Sequence, residues 1–270
     1  MTAPHIVGIG SLYAIERDGT ITPAGLAADV ALAAVARGAR GIAASRVGFD
    51  RFGTEVVDAL RTATVDVTAI QTDSDLATPR RVTRGSTHRL DPYGAFDSMQ
   101  WDSDLEALGR RAEVIVTDAL SRRHGQSRST IDRLLIAATT SLRVIDLVAR
   151  PPLAADADRL DREFVGNALE LCDIFLVDAV ALRALVPAIA DAIEAAKRSA
   201  ALMQRATVVL LPTSASAGAV ATTRSCEVIP PSADAARPPG DRSSTSGSLA
   251  TTIAMAALEG RSIAEALAHA

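Results

Sequence analysis

The sequence predicts an α/β fold organised around a parallel sheet, and three observations carry that prediction. From His5 to Ile70 the chain alternates short apolar runs with helical spacing in the order β-α-β-α-β, which demands crossover connections and therefore parallel strands. The same alternation continues toward the C-terminal end. Finally, 270 residues with 48% apolar and 22% charged content and a net charge of −4 are enough to bury a large core, and they exclude a disordered chain. That charge supplies no basic field, so nucleic acid is not expected as a partner.

The elements follow in order. His5–Gly10 reads as a buried strand ending in glycine, and Gly25–Gly38 as an alanine-rich helix with Gly38 as its stop. Gly41–Gly48 is a second strand, Phe52–Thr62 an amphipathic helix and Val65–Ile70 an alternating strand. Residues 72–98 are polar, carry Pro79 and Pro92, and read as edge strands or a flap. A helix at Asp102–Arg111, a strand at Ala112–Thr117 and a helix at Ser129–Thr139 come next, the last with Ser127 or Ser129 as N-cap. Leu142–Val148 is a strand stopped by Pro151-Pro152, Asp158–Cys172 a helix and Ile174–Val177 a buried strand. Val180–Val186 and Ala188–Met203 are helical, and Thr207–Leu211 is a strand. Ala219–Thr222 with Cys226–Ile229 makes a hairpin. Ala233–Ser246 reads as a loop, Leu249–Leu258 as a helix, and Ser262–His269 as a last helix capped by Ser262.

Some function classes are set aside at this stage. Cys172 and Cys226 are too few for a disulfide framework, and the four histidines lack metal-ligand spacing. No 18-residue apolar run crosses a membrane and no N-terminal signal is read, so a cytoplasmic location is expected. Of the 28 basic residues only Lys197 is lysine, which reflects coding composition more simply than chemistry.

Six segments in order carry a resemblance. They are Gly25-Leu26-Ala27-Ala28-Asp29, Gly48-Phe49-Asp50-Arg51-Phe52-Gly53, Trp101-Asp102, Ser127-Arg128-Ser129-Thr130-Ile131, Asp146-Leu147-Val148-Ala149-Arg150-Pro151-Pro152, and the closing Gly260–Leu267 with its Glu265-Ala266-Leu267. Together they resemble the ribokinase-like carbohydrate kinases of the phosphofructokinase-B type, most closely the fructokinase branch. The resemblance implies a three-layer αβα sandwich with a mainly parallel central sheet and a small β lid. Residues 1–270 would form one such domain, with 72–98 contributing to the lid edge.

The resemblance also implies a site. Gly25, Asp29, Asp50 and Arg150 fall at substrate-binding positions, and Asp178, Thr213 and Asp241 on the nucleotide side. A sugar kinase needs a base for the attacking hydroxyl and amides or cations for the phosphate. In these families the base is the Asp closing Gly-Ala-Gly-Asp at a helix N-terminus. Counting back from Gly260 places Gly247 at that position, with Ser244, Thr245 and Ser246 at the anion-hole positions. An alternative register makes Asp241 the base, with Arg242–Ser246 beginning the helix. Further polar positions are changed: the first-strand Asp falls at Ile15, the turn's Asn at Asp29, the strand-end Asn at Val148 and the lysine at Leu176. The Glu that organises Mg–phosphate falls at Ala181.

The expectation is a sugar-kinase-like protein without phosphotransfer, acting as a binding or regulatory pseudokinase. The rivals are a weakly active or re-tooled carbohydrate kinase, and an interaction subunit that pairs two copies through the lid. ATP and Mg enter only if binding or activity survives, and a sugar or nucleotide is the expected ligand.

Overall fold

The computed structural model describes residues 2–84, 87–148, 170–186, 188–189, 191–203, 206–212, 216–231 and 242–268. They group into two compact units, Met1–Ser141 with Ser243–Thr251, and Leu142–Arg242 with Thr252–Ala270.

In the first unit, β1 (His5–Ile9), β4 (Arg40–Gly48), β5 (Ile70–Asp73) and β8 (Val114–Asp118) run parallel in the order β8-β1-β4-β5. β1, β4 and β8 are buried almost throughout, which is why they read as continuous apolar runs. Helix α1 (Leu26–Ala36) is nearly all alanine, valine and leucine. It packs on β1 and β4, and Gly38 follows it with φ 77°. Helix α2 (Arg51–Thr62) is amphipathic and starts at Asp50, whose side chain accepts from Gly53 N. Helices α3 (Ser103–Arg111) and α4 (Gly125–Ala137) complete the layers.

A second sheet has the order β3-β2-β6-β7, from β2 (Tyr13–Arg17), β3 (Thr20–Ala24), β6 (Arg80–Arg84) and β7 (Thr87–Leu90). Half of it comes from the flap anticipated at 72–98. The other half is a hairpin at Tyr13–Ala24, an element absent from the sequence-based order above. Its two-residue turn, Asp18-Gly19, has φ 51° and 78°, the twist that Asp-Gly supplies in a hairpin. Ala14 and Ile21 of this sheet join Val47, Val56, Leu60 and Ala27, Ala28 and Ala31 of α1 in one core cluster.

In the second unit, β9 (Leu142–Asp146), β10 (Ile174–Val177) and β11 (Thr207–Leu210) are parallel, and β12 (Gly218–Ala221) and β13 (Cys226–Ile229) add antiparallel. The hairpin of β12 and β13 stands where it was expected. The helices are α5 (Ala179–Leu185), α6 (Ala192–Met203), α7 (Arg242–Leu258), which crosses the boundary between the units, and α8 (Ile263–Ala268). Ser262 Oγ accepts from Glu265 N at 3.3 Å, the expected cap of α8.

Three local expectations are corrected. Val65–Ile70 is not a strand: Asp66 Oδ1 takes the amide and the hydroxyl of Thr68 (3.0 and 2.6 Å), making a turn, and β5 begins only at Ile70. Helix α4 starts at Gly125, not Ser129. Ser127 does not cap it but is buried, donating to Phe96 O (2.5 Å) and accepting from Met99 N (3.0 Å). Helix α7 starts at Arg242, so the last five residues of the expected loop are helical. The helix expected at Asp158–Cys172 lies mostly outside the described residues.

Candidate ligand site

In the first unit the strand ends and the start of α1 meet at Ser11. Its amide donates to Ser121 Oγ (2.8 Å), its Oγ accepts from Leu26 N (3.0 Å) and its carbonyl accepts from Ala27 N (3.1 Å). The first two amides of α1 are therefore satisfied by one serine, and they do not form an open anion hole. Ser121 in turn donates its hydroxyl to Asp118 Oδ1, and Ser45 donates to Gly10 O (2.5 Å). Sequence reasoning gave none of these serines a role. The signal available was a hydroxyl inside the apolar run of β4 (Ser45) and hydroxyls just beyond the ends of β1 and β8 (Ser11 and Ser121).

Gly25 opens α1 with φ 105°. A Cβ there would lie 2.4 Å from Ser11 O and 3.1 Å from Tyr13 Cε1, so only glycine lets the β3–α1 turn close against β2. One turn on, Asp29 is half-buried in the first turn of α1, where the helix dipole favours a carboxylate.

Gly247 comes to the same place from α7. It is buried, and a Cβ on it would meet Asp29 Cβ at 2.5 Å, Asp29 C at 3.1 Å and Val30 N at 3.1 Å. The helix has already run from Arg242, so Gly247 lies in its second turn and the unpaired helical amides belong to the turn before it. Ser244, Thr245 and Ser246 have helical backbone, with side chains outside the described part of the chain. The structure thus brings Gly247 against Asp29, one turn along α1 from Gly25.

Asp50 is engaged elsewhere: Oδ1 accepts from Gly53 N and Oδ2 from Thr78 N, both at 2.7 Å. It holds the α2 start and the 74–79 segment. Ile15 is half-buried on β2, in register with Thr22 and Arg81.

In the second unit, Asp178 is buried and caps α5, its Oδ1 accepting from Ala181 N at 2.7 Å. Asp146 Oδ1 accepts from Val148 N at 2.9 Å. Leu176 and Ala181 are core residues, 0% and 2% exposed. Arg150, Thr213 and Asp241 lie outside the described residues. Among the described residues no group of three or more His, Cys, Asp or Glu could hold a metal ion. No described helix is long and apolar enough to cross a membrane.

No protein-family model matches the sequence, and a search among curated proteins finds no match. Solved structures do match over almost the whole chain. Halothermothrix orenii fructokinase is similar at a TM-score of 0.75 and 17% identity, covering 98% of this chain and 95% of that one. Aminoimidazole riboside kinase from Salmonella enterica gives 0.75 and 19%, covering 98% and 91%. Arabidopsis thaliana ribokinase, solved with ribose and ATP, gives 0.74 and 17%, covering 99% and 89%. These likenesses show the fold: the chain has the ribokinase-like α/β fold of PfkB-type sugar kinases, built on a large, mainly parallel sheet. In fold it is similar to fructokinases and ribokinases alike.

Proposed function

We propose that this chain is a sugar-kinase-fold protein that has given up ATP-dependent phosphotransfer and serves as a binding or regulatory protein for a polyhydroxy ligand. The observation that carries the reading is Gly247, the residue that the resemblance puts at the base position: it has no side chain, and a Cβ there would meet Asp29 Cβ at 2.5 Å. Asp178 and Ala181 support it, since the one is engaged as a helix cap and the other is a core methyl. Losing a positioned base alone costs about 10²–10⁴ in rate. The test is an ATP-coupled assay with fructose and ribose beside a thermal-shift titration with the same sugars. A sugar-dependent shift without turnover above background is the expected result. Phosphorylation at ordinary kinase rates overturns it.

A second reading, a weakly active and re-tooled kinase, is favoured by one observation. Helix α7 begins at Arg242, the residue after Asp241. A carboxylate directly before a helix is well disposed to act beside the helix amides. Under this reading residual turnover is measurable, and Asp241→Asn abolishes it. Under the first reading that substitution changes nothing in the assay.

A further inference from the structure

The flap strands β6 and β7 spring from a root that two side chains fasten, one on the entering chain and one on the returning chain. At the root Arg80 N donates to Asp91 Oδ2 (2.9 Å), Asp91 N to Arg80 O (3.2 Å) and Ala95 N to Ala77 O (3.0 Å). Asp50 holds the entering chain through Thr78 N. Arg123 holds the returning chain. Its Nε and Nη2 donate to the two oxygens of buried Asp97, Nη2 also reaches Asp91 O (3.4 Å), and the guanidinium lies 4.9 Å from the centre of the Phe96 ring. Beside it, Tyr93 meets His124 edge-on at 4.9 Å. Further out, β6 is in register with β2 only at Arg80 and Arg81, and β7 is the last strand of its sheet. The direction of the hairpin is therefore set at its base.

Arg123 directly follows the 3₁₀ turn Leu120–Arg122. That turn also carries Ser121, whose amide and hydroxyl both donate to Asp118 Oδ1 and whose Oγ accepts from Ser11 N (2.8 Å). Ser11 in turn receives the first two amides of α1. Arg122, 0% exposed, pairs with Asp132 of α4, which fixes the turn in place. One rigid turn thus joins the flap root to the start of α1. We infer that Arg123 is the positioning residue of the flap, and that this turn couples the flap to the start of α1 so that loosening either end loosens the other. Such a coupling is a free energy shared by both ends and must act in both directions. It needs no ligand, so the free chain tests it and the outcome is independent of the binding reading.

Hydrogen exchange reads local opening directly, followed here at residues 76–97, at the amides of Ser11, Leu26 and Ala27, and at α3 as a control. The double variant Asp97→Asn with Arg123→Gln replaces the ion pair by a neutral pair and buries no unpaired charge. It is expected to speed exchange at 76–97 about tenfold and at Ser11, Leu26 and Ala27 about threefold, with α3 at its parent rates. Ser11→Ala, a mild change at the other end, is expected to speed exchange at 76–97. Arg123→Lys keeps the charge but loses the two-pronged grip, and should fall between the parent and the double variant. Acceleration confined to the mutated end in both the double variant and Ser11→Ala overturns the coupling. Parent rates at 76–97 in the double variant overturn the role of Arg123. Equal acceleration in α3 marks a loss of stability of the whole unit and overturns both.

Discussion

Asp73 ends β5 with its side chain surrounded by donors. Oδ1 accepts from the amides of Asp75 (2.9 Å) and Leu76 (3.0 Å), Oδ2 from Ser98 Oγ (2.9 Å), and Arg46 Nε lies 3.1 Å from Oδ2. Burial pushes its carboxyl up, but these donors and the guanidinium outweigh that and hold it below the ordinary carboxylate value. Asp66 has the same balance, burial opposed by Thr68 and Arg40. A depressed folded value means the stabilisation is fully present above the unfolded value, about 3.9, and is lost as pH falls through the folded one. Stability should therefore drop on acidification below about pH 5, and Asp73→Asn should flatten that dependence. Urea titrations between pH 6 and 3 on both proteins check this (about 1–3 kcal/mol per M is the usual slope), and parallel pH profiles would falsify it. The same residue scale shows a limit of legibility. Asp50 and Asp178 stand at motif positions that imply ligand contacts, yet both accept backbone amides at helix starts. Asp does both jobs for the same electrostatic reason, so type and position alone do not separate them.

At the scale of elements, Asp50 fastens two pieces of chain with one side chain. Asp50→Ala removes the α2 cap, worth about 0.5–2 kcal/mol, and strands the amide of buried Thr78, worth about 1–3 kcal/mol. The expected loss is about 2–3 kcal/mol, a fall in Tm of roughly 5–10 °C for a chain of this size. Asp50→Asn, which keeps one acceptor, should lose less. A loss under about 0.5 kcal/mol for the alanine variant, the usual size of a neutral surface change, would show that the cap contributes nothing. The buried Asp97 makes a parallel case: Arg123 grips both its oxygens (2.7 and 2.6 Å) and Gly94 N donates to one of them (3.0 Å). Asp97→Ala leaves a guanidinium only 11% exposed without its carboxylate, which costs about 3–5 kcal/mol. Most helices and buried strands are legible because their apolar periodicity is strong. The start of α7 is not: Ser243-Ser244-Thr245-Ser246 has the composition of a cap or loop, and residues of low helix propensity are overridden by the alanine-rich run that follows. The Tyr13–Ala24 hairpin is legible in principle from Asp18-Gly19 between two alternating runs.

At the scale of the whole molecule, most of the order of strands and helices is legible from alternation, the Tyr13–Ala24 hairpin excepted, and the solved kinases match the fold at TM-scores of 0.74–0.75. What alternation does not encode is which polar groups face a ligand, because that depends on approaches between residues far apart in the chain, such as Gly247 to Asp29. A ligand that binds only the folded chain reports on this directly through the stability of the entire molecule. At a concentration of about 100 times Kd it adds about 2.7 kcal/mol, which for a chain of this size raises Tm by roughly 5–10 °C. The binding reading therefore predicts that fructose or ribose shifts Tm by an amount that grows with the logarithm of concentration. Under that reading ATP–Mg should leave the curve in place, because the described residues that the resemblance assigns to the nucleotide side are a helix cap and buried apolar side chains. A sugar shift that emerges only with ATP–Mg present would instead mark an ordered ternary site of the kind a working kinase needs, and would decide for the re-tooled enzyme.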